Sequence, residues 1–286
     1  MISSEQFEKE IELIIANAIR EDVGDGDHSS LACIPKNAKG KAKLLVKDKG
    51  IIAGIEFAKQ VFAYIDKNLI IETLIEDGSK VNYGDIAFYV EGASQSILKA
   101  ERLVLNAMQR MSAIATKTRI FIDLLDGTNT KILDTRKTTP GIRALEKWAV
   151  KIGGGENHRF ALYDMIMLKD NHIDFAGGIT KAINKTKQYL KDTNRNLKII
   201  VEARNLKEIE EILQNEGIYR ILIDNFNFED TRKAVHLIGN KCLTESSGGI
   251  NENTARQYAN CGVDYISSGA LTHSVYNMDL SLKAVN

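Results

Sequence analysis

Cysteine is scarce: only Cys33, Cys242 and Cys261 occur, far apart and without a CxxC spacing. This argues against a zinc ribbon or a paired redox motif, and three scattered thiols suit a reduced, cytoplasmic protein. Net charge is missing as well, with 38 basic residues set against 38 acidic ones and no long run of one sign. A chain built to bind nucleic acid carries a basic excess, so nucleic acid is not an expected partner. No apolar stretch approaches the roughly 18 residues that a membrane span needs. The opening segment MISSEQFEKEIELIIANAIRED places Glu and Lys where a signal peptide requires an uninterrupted apolar region, so neither secretion nor a membrane partner is expected.

What the chain does contain is enough apolar material, 44% of its 286 residues, for one barrel of ordinary size or two smaller domains. Phe7, Ile11, Ile14, Ile15 and Ala18 recur at helical spacing behind Ser3 and Ser4, which can cap, so an amphipathic N-terminal helix is predicted. A glycine-rich turn, EDVGDGDHSS, follows at 21–30. Short β-like runs between about 40 and 92 predict a small sheet domain, and a long helix is predicted from about Ser94 to Leu125.

After Gly127 apolar runs alternate with helical stretches: KILDT, MIMLK, KIIVEA, RILIDNF, CLTESS and DYISSG are six strand candidates. This alternation predicts a parallel α/β barrel or a doubly wound sheet, and the barrel is favoured because nearly every strand ends in polar residues. Thr139 and Pro140 fit the cap and first position of a helix carrying Ile142, Leu145, Ala149 and Ile152.

Chemistry concentrates at the strand ends. DTRKTTPG (134–141) holds Arg136 and Lys137, GGGENHR (153–159) holds His158 and Arg159, and IMLKDNH (166–172) holds Lys169. In a neutral chain this local excess of cations points to a small, highly anionic ligand. Singly, either lysine reads as solvated and His158 as a hydrogen-bonded structural histidine. Glu202 in VEAR and Asp224 in ILIDNF end consecutive strands and could hold Mg²⁺ or stabilise a developing positive charge, although each could instead cap a helix or pair with a nearby cation. The last two strands run into ESSGGI (245–250) and ISSGALTHS (266–274), small-residue turns suited to phosphate.

These motifs, in this order and spacing, together with EDVGDGD and ERLVLN (101–106), resemble the quinolinate phosphoribosyltransferase family from end to end. The resemblance implies transfer of phosphoribose from phosphoribosyl pyrophosphate to quinolinate with decarboxylation. The products would be nicotinate mononucleotide, pyrophosphate and carbon dioxide, in NAD biosynthesis. It implies Mg²⁺ but no pyridoxal phosphate.

The implied fold is an N-terminal α/β sandwich over 1–115, joined by the tail 272–286, and an incomplete, seven-stranded barrel over 116–271. Arg136, His158, Arg159 and Lys169 would bind the quinolinate carboxylates, with Lys137 beside both substrates. Arg102 would reach the site of a partner in a homodimer that could assemble further. Glu202 and Asp224 would face ribose and metal, and Ser247, Gly248, Gly249, Ser268 and Gly269 would hold the 5-phosphate. Two departures from the family pattern stand out: GDHSS where threonines usually follow the aspartate, and Ala113 where Ser112 is usually followed by Gly.

Overall fold

The computed structural model describes residues 3–285, so the first two residues of the expected N-terminal helix and the last residue of the tail lie outside it. In chain order the elements are α1 (Ser4–Val23), α2 (His28–Cys33), β1 (Lys39–Val46), β2 (Gly50–Ile51), α3 (Ile55–Ile65), β3 (Ile70–Thr73), β4 (Lys80–Val81), β5 (Ile86–Ala93) and α4 (Ser94–Leu124). Then come β6 (Lys131–Leu133), α5 (Arg143–Ile152), β7 (Ile166–Leu168), α6 (Asp170–Ala176), α7 (Ile179–Asp192), β8 (Ile199–Ala203), α8 (Leu206–Leu213) and β9 (Arg220–Asp224). The chain closes with α9 (Phe228–Ile238), β10 (Leu243–Ser247), α10 (Ala255–Ala259), β11 (Tyr265–Ser267), α11 (Ala270–His273) and β12 (Leu280–Val285).

The chain forms two compact units. One comprises Ile120–Lys137 and Gly155–Ala270; the other holds the described residues up to Arg119, Thr138–Gly154 and the residues from Leu271 onward. Helix α5 therefore belongs with the N-terminal unit.

In that unit an antiparallel sheet runs β12-β1-β5-β3. Alternation along β1 buries Ala42, Leu44 and Val46. Helix α3, which the β-like runs around it obscure in the sequence, buries Ile55, Phe57, Ala58, Val61 and Phe62. Phe62 meets Phe88 of β5 edge-on, with ring centroids 6.0 Å apart. Helix α1 buries Ile11, Ile14 and Ile15, and its Phe7 sets an edge against Trp148 of α5.

Helix α5 begins at Arg143, later than the Thr139-Pro140 start expected from sequence. The reason is the buried carboxylate of Glu146, which accepts the Thr139 N–H at 3.0 Å and the Thr139 hydroxyl at 2.8 Å and so ties 139–142 into a turn ahead of the helix. The two departures are absorbed locally. Asp27 caps α2 by accepting the Ser30 N–H, and Ser112 bonds both polar groups of the Ala53 backbone beside a buried Ala113.

The other unit carries a parallel sheet in the order β6-β11-β10-β9-β8-β7. It has six strands where seven were expected. Among the described residues the outer edge of β6 carries a single parallel bridge, Leu133 to Glu156, made by Glu156 N–H to Ile132 O and Asp134 N–H to Glu156 O. The barrel is not closed. GGGEN approaches β6 at this one residue and then leaves toward His158.

Register separates the two faces of the sheet. One carries Ile132, Ile199, Val201, Ile221, Ile223 and Ile266, all buried, and suits the apolar sides of α8 and α9, which bury Ile209, Ile212, Ala234 and Ile238. The opposite face begins with an apolar plug of Met167, Ile200 and Leu222 and then turns polar with Glu202, Asp224, Glu245, Ser247 and Ser267.

Candidate active site

Because all six strands are parallel, their carboxyl ends share one rim. Across the sheet that rim reads Arg136 and Lys137 after β6, Ser268 and Gly269 after β11, Ser247 to Gly249 at β10, Asp224 at β9, Glu202 in β8 and Lys169 after β7. These residues therefore share one rim, with cations after the two edge strands and carboxylates and small-residue turns between, while His158 and Arg159 are buried in the segment between α5 and β7. Arg102 is exposed on α4 in the other unit.

Of the cations, Arg159 is electrostatically strained. Arg159 is buried, and burial together with the neighbouring positive charge of Arg136 lowers its pKa. One of its guanidinium nitrogens donates to Met165 O at 3.1 Å. Arg136 is half-buried, and its Nε is buried with no hydrogen-bond partner among the described residues. Two guanidinium groups held near each other, one with an unmet buried donor, favour an anion between them. Lys137 is exposed, with its N–H donated to Thr135 Oγ1. Lys169 is also exposed and is the N-cap of α6.

Glu202 shows the opposite strain. Burial, then the negative charge of Asp224, pushes the Glu202 carboxyl above its ordinary range, against the Asp170 N–H it accepts and the charge of Lys169. Asp224 accepts the Ser247 hydroxyl at 2.7 Å and the Asn225 side-chain amide at 2.7 Å. Among the described residues no group of three or more His, Cys, Asp or Glu is arranged to hold a metal ion. Glu202 and Asp224 are the two carboxylates of this rim that could hold a divalent cation, with its remaining ligands supplied from outside the chain.

The turn after β10 is shaped by two glycines at positive φ. Gly248 has φ +88° and so little room that a Cβ would meet Asn225 Oδ1 at 2.1 Å; Gly249 has φ +63° with open space around it. Asn225 N–H donates to Ser247 O, which locks this turn to the end of β9. The Ser268 hydroxyl donates to Ile250 O at 2.8 Å, joining the last two turns.

His158 is buried and faces inward. Its N–H donates to Asp134 Oδ1 at 2.8 Å, its Nδ1 accepts the Arg159 N–H at 2.6 Å, and its Nε2 lies 3.3 Å from Glu245 Oε2. Sequence reasoning passed over Asp134, Arg220 and Glu245. Asp134 opens DTRK and was legible there; Glu245 sat inside a segment read as a turn, and Arg220 at the head of an apolar run.

Residues 114–283 match the family model described as quinolinate phosphoribosyl transferase, C-terminal domain, and residues 27–112 match its N-terminal domain. A quinolinate phosphoribosyltransferase [decarboxylating] 1b of Nicotiana tabacum is 44% identical over 94% of this chain and 81% of its own length. A probable nicotinate-nucleotide pyrophosphorylase [carboxylating] of Bacillus subtilis (strain 168) is 39% identical over 92% of this chain and 89% of its own. Among solved structures, NadC from Streptococcus pyogenes superposes with a TM-score of 0.89 at 34% identity, covering 100% of this chain and 99% of that one. The chain belongs to the quinolinate phosphoribosyltransferase family.

Proposed function

We infer that this chain transfers the phosphoribosyl group of phosphoribosyl pyrophosphate to quinolinate and decarboxylates the adduct, giving nicotinate mononucleotide, pyrophosphate and carbon dioxide for NAD biosynthesis. The observation that carries this reading is the pair Arg136 and Arg159, mutually repelling and with an unmet buried donor, which a ligand bearing two adjacent carboxylates would satisfy.

Arg136, Arg159 and Lys169 hold the quinolinate carboxylates, and Lys137 sits between them and the pyrophosphate. Gly248 and Gly249 offer backbone N–H groups to the 5-phosphate, with Ser247, Ser268 and Gly269 shaping the two turns around it. As the bond from the anomeric carbon to pyrophosphate breaks, the pyridine nitrogen bonds to that carbon. Glu202 and Asp224 stabilise the positive charge that develops there. Holding nitrogen and carbon in line supplies much of the remaining acceleration. Glu202 and Asp224 would hold Mg²⁺, directly or through water, and the ion would supply charge neutralisation for the departing pyrophosphate. The ribosylated nitrogen then draws the electrons left behind as the adjacent carboxylate departs as carbon dioxide, and that carbon takes up a proton. No pyridoxal cofactor is called for.

The reading extends to a cytoplasmic homodimer in which Arg102 completes the partner's site. Its support is an exposed, unpaired Cys33, an exposed Arg102 and an exposed Leu98 one helical turn before it. No helix among the described residues is long and apolar enough to cross a membrane.

The test is incubation with quinolinate, phosphoribosyl pyrophosphate and Mg²⁺, with nicotinic acid as a parallel acceptor. Equal amounts of nicotinate mononucleotide and carbon dioxide from quinolinate are expected. Turnover of nicotinic acid instead, or of neither, overturns the reading. Mixing inactive Arg102→Ala and Lys169→Ala proteins restores activity if subunits share sites; its absence in demonstrably mixed dimers rejects sharing.

A further inference from the structure

A column of charged groups runs through the barrel unit behind the residues assigned to substrate. Arg220, packed on the faces of Tyr265 and Tyr219, donates to Glu245 Oε2 at 2.6 Å. The Glu245 side chain is fully buried. Burial would raise its pKa, but His158, Arg220 and Ser267 outweigh that and hold it at about 2, so it is a carboxylate at neutral pH. The same carboxylate oxygen approaches His158 Nε2.

The other ring nitrogen fixes the tautomer that the neutral His158 ring would adopt. Nδ1 accepts the main-chain N–H of Arg159, so the neutral ring carries its proton on Nε2, the atom turned toward Glu245. Asp134 fixes the remaining contact by accepting the His158 N–H. The backbone at 158 and 159 is thus held at both N–H groups, and each grip passes through a buried carboxylate, directly for His158 and through its ring for Arg159. The Arg159 guanidinium beside Arg136 is aimed by that backbone.

We propose that Glu245 is a positioning residue of this site: it orients the His158 ring, which clamps the Arg159 main chain and sets the Arg159 guanidinium against Arg136 to receive one carboxylate of a dicarboxylate ligand. On this assignment His158 acts through Arg159 and does not itself touch the ligand. The proposal rests on the reaction inferred above for its readout, but the clamp can be tested without turnover.

Glu245→Gln keeps the shape of the side chain and removes its charge. The expected result is a rise of about tenfold in the quinolinate KM with the phosphoribosyl pyrophosphate KM little changed. His158→Gln should give a similar rise, and the double variant should be no worse than the weaker single, because both act on one guanidinium. Additive losses, or an unchanged quinolinate KM in folded Glu245→Gln protein, overturn the proposal. Should Glu245→Gln fail to fold, Arg220→Met with Glu245→Gln removes both buried charges and carries the same kinetic expectation. Independently, ¹⁵N-histidine NMR of the wild type should show His158 protonated at Nε2 only, and Glu245→Gln should shift both ring nitrogens. A proton on Nδ1 in the wild type overturns the clamp even if quinolinate is turned over. A wild type inert toward quinolinate with the Nε2–H signature intact rejects the reaction and leaves the clamp standing.

Discussion

The two faces of the six-stranded sheet share the same strands and differ in what they ask of a residue. One face, with Ile132, Val201, Ile221, Ile223 and Ile266, is buried aliphatic surface whose contribution is area removed from water. The other places Glu202, Asp224, Glu245 and Arg220 on the same backbones, one residue out of phase, where each charge is costly until something pairs with it. Alternation therefore lets single strands carry the fold on one side and the chemistry on the other. Substitutions should separate along the same line.

The largest effect is expected on the polar face. Glu202→Gln and Asp224→Asn should each lower kcat by roughly 10²- to 10³-fold, the usual loss for a preorganised transition-state partner, with the thermal midpoint nearly unchanged. A drop in stability that matches the loss of activity would erase the distinction between the faces. Next come the edge cations: Arg136→Ala or Arg159→Ala should weaken quinolinate binding by about 10²-fold while phosphoribosyl pyrophosphate binds as before. Titration calorimetry with each ligand separately checks this, and equal loss of both ligands contradicts the assignment.

On the apolar face, Ile223→Ala should cost about 2–4 kcal/mol of stability in denaturant unfolding and leave kcat/KM of the folded protein unaltered. A selective kinetic defect would show that the aliphatic face also takes part in the chemistry.

The smallest effect is a pH dependence. The native Glu202 carboxyl binds its proton more tightly than the ordinary value of 4.5, so its cost to stability is absent below that pH and grows as pH rises through the raised native pKa. Glu202→Gln should therefore be slightly more stable than wild type at neutral pH, with the gap closing in acid. Glu245 behaves in the reverse sense, adding stability above 4.5 that is lost as pH falls toward 2. Melting curves across this range distinguish the two signs.

All six parallel strands were legible because each is a short apolar run between helical stretches, and the placement of Glu202, Asp224, Arg136 and Lys169 at strand ends was legible because polarity returns there. The seventh strand, which shrinks to a bridge at Glu156, was not legible in the sequence, since a glycine-rich approach leaves no apolar run to measure. Helix α3 was hidden by β-like neighbours, and the start of α5 was misread because the partner that draws Thr139 out of the helix, Glu146, lies a further two turns along. Glu245 was invisible for another reason: a carboxylate inside a strand is tolerable only with Arg220 and His158 beside it, and neither is near it in the chain.

Gly248 and Gly249 share a left-handed backbone, yet they are guarded differently. At 248 volume forbids a side chain, because Asn225 already occupies its place; at 249 there is space enough, and handedness alone is the objection. A D-alanine introduced by chemical ligation would suit the left-handed backbone at 249 and keep its N–H, and asparagine, which holds a positive φ at Asn194 and Asn225 of this chain, is the natural residue expected to be accepted at 249 and refused at 248.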